Sequence, residues 1–189
     1  MSQKNTFRLC TVALLSALSI VSNAFAINLT PDISLSFTYL VSFVSGVFLG
    51  PIDGFLVGII GDVIGCIIAP KGPYAPTVTL STGLLGVLPW VMFKAFRKFP
   101  YVVKVIASYI ACFLICSVLI NSTTWYIMYS SKTPYLTYLV TRNSVQLLIV
   151  AINCAITCVI FKPIKSVFER FGFAKDTKKE EIIEDSSQN

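Results

Sequence analysis

Six times this chain returns to an apolar stretch that is almost free of charge, over about Phe7–Ile27, Phe37–Gly50, Phe55–Ala69, Thr77–Phe96, Tyr101–Asn121 and Tyr138–Phe161. A helix that crosses a bilayer needs roughly 20 such residues, so the stretches consume most of the 189 residues. The second is short and needs the apolar turn before it to reach that length. With 55% hydrophobic and 13% charged residues and a mean hydropathy of +0.77, the chain is far more apolar than one water-soluble core requires. The expectation is an all-α membrane protein of six transmembrane helices, with no room for a separate catalytic domain.

The net charge of +6 is distributed in a way that argues against nucleic acid as a partner. Lys4 and Arg8 precede the first stretch, Lys94, Arg97, Lys98 and Lys104 lie between the fourth and fifth, and Lys162, Lys165, Arg170, Lys175, Lys178 and Lys179 follow the last. Positive charge collects on the cytoplasmic side of membrane proteins, which places both termini in the cytoplasm. The other side then carries Lys71, Lys132 and Arg142 against the single acid Asp32, a potential that welcomes an anion.

Local signals refine the layout. Gly50-Pro51-Ile52-Asp53-Gly54 reads as a cytoplasmic turn, and Asp53 there as a cap for the third helix. Pro70 stops that helix and opens a loop through Lys71 and Tyr74 to Pro76. Residues 1–163 form the membrane domain. In 164–175, Ile164, Val167, Phe168 and Phe171 recur at helical spacing and predict a short interfacial helix. Residues 176–189 are charged, without aromatics, and are expected to be a disordered tail. The first stretch has a second reading: Lys4, Arg8, the apolar run and Ala24-Phe25-Ala26 also fit a cleaved signal peptide.

Several kinds of chemistry find no support. The six cysteines, Cys10, Cys66, Cys112, Cys116, Cys154 and Cys158, fall in or beside apolar stretches and read as packing residues. The chain has no histidine, so the i,i+4 cysteine pairs lack further metal ligands, and no metal or other cofactor is expected. Nothing matches the phosphate-cradling Gly-rich pattern that ends in Lys-Ser or Lys-Thr, so ATP hydrolysis is not expected of this chain. Glycines 54, 58, 61 and 65 clear one face of the third helix for close approach. Asp62 lies among them, an ionisable group costly at that depth. It fits either a proton or sodium relay or a hydrogen bond to a neighbouring helix. Ala13 and Ala17, with Ser16, make a flat patch on the first helix, suited to internal packing or to docking of another membrane subunit.

The outer ends of the helices hold the most informative residues. Asn121, Trp125 and Tyr129 lead out of the fifth helix, while Arg142, Asn143 and Gln146 open the sixth. Tyrosine and tryptophan at a membrane boundary serve as interfacial anchors. Together with the amides, they also suit a planar heterocycle rich in donors and acceptors. Arg142 near a helix N-terminus faces an unfavourable dipole, which a ligand carboxylate would relieve, or it snorkels to the interface. Tyr74, Thr79 and Ser81, with Lys71 and Thr82, complete a possible lining.

These residues are similar to those of a known family, the substrate-binding S components of energy-coupling factor (ECF) transporters, of the folate type. The likeness runs from Leu9 to Pro163. It rests on Ala13-Leu14-Leu15-Ser16-Ala17, on Gly50-Pro51-Ile52-Asp53-Gly54 followed by Gly58 to Gly65 around Asp62, on Thr79-Leu80-Ser81, on Leu119-Ile120-Asn121 before Trp125 and Tyr129, and on Arg142-Asn143. The resemblance implies the S-component fold in a bacterial cell membrane and a vitamin cavity built from the first loop, fourth helix, fifth loop and sixth helix. Asn23 and Asn28 flank the first loop and join the candidate ligands. It further implies high-affinity folate capture, docking through Ala13 and Ala17 onto a membrane coupling subunit, and power from two cytoplasmic ATPases. In that setting Asn143, Asn121 and Gln146 or Ser81 would meet the pterin, Trp125 and Tyr74 would stack, and Arg142 would hold a carboxylate.

Three other readings make distinct demands. An S component for pantothenate or riboflavin would share the fold and differ in the extracted ligand. An ion-coupled secondary transporter would work through Asp62 without ATPase partners. A membrane enzyme acting on lipid would need clustered acids or histidines at an interface, and the chain offers neither.

Overall fold

The computed structural model describes residues 3–30, 33–70, 73–129 and 134–170. These form a helical bundle with one hairpin: α1 (Gln3–Ala24), strands β1 (Ile27–Thr30) and β2 (Ile33–Leu35), α2 (Thr38–Leu49), α3 (Pro51–Ile68), α4 (Pro76–Ala95), α5 (Tyr101–Cys112), a π-helical segment (Phe113–Asn121), α6 (Ser122–Tyr129) and α7 (Tyr135–Arg170). Because α5, the π segment and α6 make one rod, the described chain passes through the bundle six times. Five of the rods are long and apolar enough to cross a membrane. The tail expected at 176–189 and the loop lysine Lys71 lie outside the described residues.

The tightest packing is made by glycine. A side chain at Gly46 of α2 or Gly54 of α3 would meet the backbone carbonyl of Gly86 on α4, and one at Gly86 would meet the carbonyl of Gly54. Three helices therefore touch backbone to backbone, which no residue with a Cβ permits. The rest of the α3 glycine row divides between two neighbours. Gly58 abuts Thr82 of α4, while Gly61 and Gly65 receive Ser19 and Asn23 of α1. At the turn between α2 and α3, Gly50 takes a φ of 100° and Pro51 opens α3, where its missing N–H costs nothing.

α2 is shorter than the sequence suggests. The residues before it pair as an antiparallel hairpin, with Ile27 opposite Leu35 and Asn28 opposite Ser34. The helix keeps 12 residues, about 18 Å of a hydrocarbon core of about 30 Å. The hairpin fills the space of the missing turns. Ile33 is buried, and the Ser36 carbonyl accepts a hydrogen bond of 3.3 Å from Nδ2 of Asn153, in the middle of α7.

Two further differences concern the other end of the bundle. Asp53 makes no capping bond; it pairs instead with the guanidinium of Arg8 on α1, an opposite charge being a better partner than the N–H groups of its own first turn. Together with the seats of Ser19 and Asn23, this ion pair packs α1 against α3. Pro163 does not end α7, which runs on to Arg170. Ile164 and Phe168 pack on the cluster around Leu15, Val44 and Leu49, with Phe168 stacked 4.5 Å from Phe48. An aromatic group of Phe43, Phe93, Tyr101 and Phe161 closes the same end.

A Gly86→Ala substitution should therefore destabilise the bundle by about 1–3 kcal/mol, because its new methyl meets backbone that cannot turn aside. A lowered unfolding temperature in detergent is the expected result; an unchanged one would mean that the three helices are not in backbone contact.

Candidate functional site

At the hairpin end of the bundle the buried polar groups gather into two clusters. The first surrounds Asp62, which lies on the packed face of α3 and is 5% exposed. Its Oδ2 accepts a 2.6 Å bond from the Thr79 hydroxyl at the start of α4, and its Oδ1 lies 3.3 Å from Nδ2 of Asn23 at the end of α1. Thr79 also shares a 2.9 Å hydrogen bond with the hydroxyl of Tyr74. The carboxyl thus ties α1, α3, α4 and the loop before α4 into one knot. These contacts include the hydrogen bond to a neighbouring helix that the sequence offered as one role for Asp62.

The second cluster is organised by Ser122, the first residue of α6, which the sequence reading passed over. Its hydroxyl donates to the Ser117 carbonyl at 2.8 Å and accepts from Nη1 of Arg142 at 2.9 Å and from Nδ2 of Asn143 at 3.1 Å. Every valence of that oxygen is used. The Ser117 carbonyl, which Arg142 also reaches at 3.4 Å, belongs to the π segment. There the i→i+5 geometry widens the helix, a distortion frequent at functional sites. Gln146, one turn beyond Arg142, lies near the hydroxyl of Tyr39 on α2. Arg142, Asn143 and Gln146 are 4%, 8% and 7% exposed, so the cluster is closed on itself. Next to it, Oδ1 of Asn121 is buried without a hydrogen-bond partner.

The helix-dipole argument for Arg142 does not survive. α7 begins at Tyr135, two turns earlier than the argument needs, and the dipole acts within the first turn. What marks Arg142 is its burial among the carbonyl of Ser117 and the hydroxyl of Ser122. Both accept from its Nη1.

The remaining candidates are spread more widely. Trp125 and Tyr129 stack on each other along α6, with centroids 5.5 Å apart and planes 19° from parallel. Tyr126 ties that helix to α7 through edge contacts with Tyr135 and Tyr138. Ser81 is fully buried and bonds the Cys116 carbonyl, an interhelical contact. Asn28 pairs through its backbone in β1, and its side chain lies outside the described residues. Ala13 and Ala17 both face outward from α1, while Leu15 and Ser16 between them are buried. Ser122 and Tyr39 were hidden because a serine and a tyrosine carry no signal without the partners that fold around them.

Comparison with known proteins decides what this arrangement belongs to. The family model described as "ECF transporter, substrate-specific component" matches residues 7–161, most of the chain. The chain belongs to that family. It is a transporter subunit, not an enzyme, and a multi-pass membrane protein. A curated relative, "Folate transporter FolT" of Clostridium novyi (strain NT), is 37% identical over 82 residues, or 43% of this chain. The matched part spans about half the relative's length, 48%. The S-component fold is further shown by a solved structure described as FolT bound with folic acid. It superposes with a TM-score of 0.70 at 20% identity, covering 85% of this chain and 95% of that one.

The knot around Asp62 generates a direct prediction. Thr79→Val removes the hydroxyl that satisfies Oδ2 and should cost this S component about 1–3 kcal/mol of stability, the penalty of a buried acceptor left unmade. Thr79→Ser should restore most of it. Equal unfolding temperatures for the Val and Ser variants would show that Asp62 does not depend on this bond.

Proposed function

We propose that this chain is the folate-capturing S component of a bacterial ECF importer, with both termini in the cytoplasm and the hairpin end facing outward. The observation that carries the reading is the buried Arg142 at that end, flanked by the amides of Asn143 and Gln146. Folate is an elongated anion with a flat, donor-rich ring system. A carboxylate of its glutamate would give Arg142 a charge-assisted hydrogen bond. Asn121, Asn143 and Gln146 offer acceptors and donors along the ligand, and Trp125 and Tyr74 offer flat faces. The likeness to the folate transporter FolT favours folate over pantothenate or riboflavin.

Delivery belongs to partners. The outward-facing Ala13 and Ala17 present little relief, as a docking face for a membrane coupling subunit would, and two cytoplasmic ATPases complete the machine the family works in. The bonds of Asp62 to Thr79 and Asn23 support a structural role there and weigh against a self-contained ion-coupled carrier.

Equilibrium titration of the purified protein with folate, pantothenate and riboflavin tests the ligand, and preference for either of the latter would overturn the folate assignment. Arg142→Ala should weaken folate binding by about 1–3 kcal/mol through loss of a charge-assisted bond; unchanged affinity would remove Arg142 from the site. Ala17→Trp should leave folate binding intact and abolish uptake by cells that supply the coupling and ATPase subunits. Normal uptake would place the docking face elsewhere.

A further inference from the structure

One amide in the core has a capacity that the packing leaves unused. Asn153, in the middle of α7, is completely buried. Its Nδ2 is doubly engaged, donating to the Ile149 carbonyl at 3.0 Å and to the Ser36 carbonyl at the foot of the hairpin at 3.3 Å. Those two acceptors fix which way the amide points, and its Oδ1 is left without a hydrogen-bond partner. An unmet acceptor deep in an apolar bundle is unfavourable, and a leucine, with the same branching and number of side-chain heavy atoms, would avoid that cost.

The position of Asn153 relative to Arg142 gives the group a use. Both lie on the buried face of α7, as do Gln146, Ile149 and Val150 between them. Eleven residues separate them, about 16 Å along the helix. Arg142 and Asn143 share the hydroxyl of Ser122, so they sit too close together to hold opposite ends of an elongated ligand. If the carboxylate end is at Arg142, the ring end lies at another level. Tyr39 marks the path between the two. It follows Ser36 by three residues and lies near Gln146, which places it between the levels of Asn153 and Arg142. Tyr109 lies nearly parallel to it, with centroids 6.5 Å apart.

Resting on the folate reading, we infer that Asn153 is a specificity-determining residue whose Oδ1 accepts a hydrogen bond from the donor-bearing edge of the ligand's ring, with the ring deep in the bundle beside Tyr39 and the carboxylates outward at Arg142. Because Nδ2 remains on Ser36, the same amide couples the ring to the hairpin above it. Discrimination follows from the chemistry: a ring presenting an acceptor at this edge meets another acceptor, and an apolar ring leaves Oδ1 unmet.

Fragments of the ligand separate the two ends. Affinities of the wild-type protein, Asn153→Leu and Arg142→Ala would be measured for folate, for pteroate, which lacks the glutamate, and for p-aminobenzoylglutamate, which lacks the pterin. Asn153→Leu should weaken folate and pteroate by about 10-fold or more and leave p-aminobenzoylglutamate within about twofold, whereas Arg142→Ala should weaken folate and p-aminobenzoylglutamate more than pteroate. Equal losses for all three ligands, or no loss for pteroate, would overturn the role of Asn153. Failure of the wild-type protein to bind folate would instead overturn the folate reading, and this inference with it. A second measurement avoids any folding defect of the variant: a folate analogue without the exocyclic 2-amino group should bind the wild-type protein about 10-fold more weakly. Equal affinity for that analogue would also sink the assignment.

Discussion

The contact among Gly46, Gly54 and Gly86 sets the geometry on which the rest depends. In a bilayer the apolar side chains gain nothing by leaving lipid for protein, so helices associate through close packing and internal hydrogen bonds. Three glycines without side chains let α2, α3 and α4 meet at their backbones. That approach fixes α3, and α3 then carries Asp62 to within reach of Thr79 on one side and Asn23 on the other. A buried carboxyl would be a heavy cost if the helices stood an ångström or two further apart. Here it stitches them together.

Much of this organisation was visible in the residue pattern. The glycine row predicted a packed face of α3, and the structure adds that the face is shared, with α4 taking Gly54 and Gly58 and α1 taking Gly61 and Gly65. The basic residues and apolar stretches predicted the rods, since both report the medium rather than any particular partner. Where the pattern failed, the deciding interaction joins residues distant in sequence. Asp53 was read against its own helix, yet its partner is Arg8, 45 positions away. The apolar pattern ends the sixth stretch at Phe161, but the packing of Ile164 and Phe168 on the core carries α7 on to Arg170. The hairpin before α2 was invisible because its strands are short and apolar, and their shelter comes from Asn153, 117 residues beyond Ser36.

The candidate site was legible in its membership and not in its grouping. Arg142, Asn143 and Gln146 stand together, as their spacing on one helix requires. Tyr74, Thr79 and Asn23 belong to the knot around Asp62, and Trp125 and Tyr129 form a platform of their own. What draws Arg142 and Asn143 inward is Ser122, which satisfies both while donating to Ser117. Serine is common in helices of this kind, and only its three simultaneous partners distinguish this one.

The π-helical stretch from Phe113 to Asn121 makes chain length itself a determinant of where α6 points its side chains. A wide turn advances less rotation per residue than an ordinary one, so its nine residues re-aim everything that follows, including Ser122, Trp125 and Tyr129. Removing one residue there would let the backbone relax to the narrower form and swing those side chains around the rod, with their identities unaltered. Two proteins of this fold could then carry the same residues on α6 and present them to different cargo. Comparing such proteins by aligned letters alone would miss a difference that a count of residues reveals.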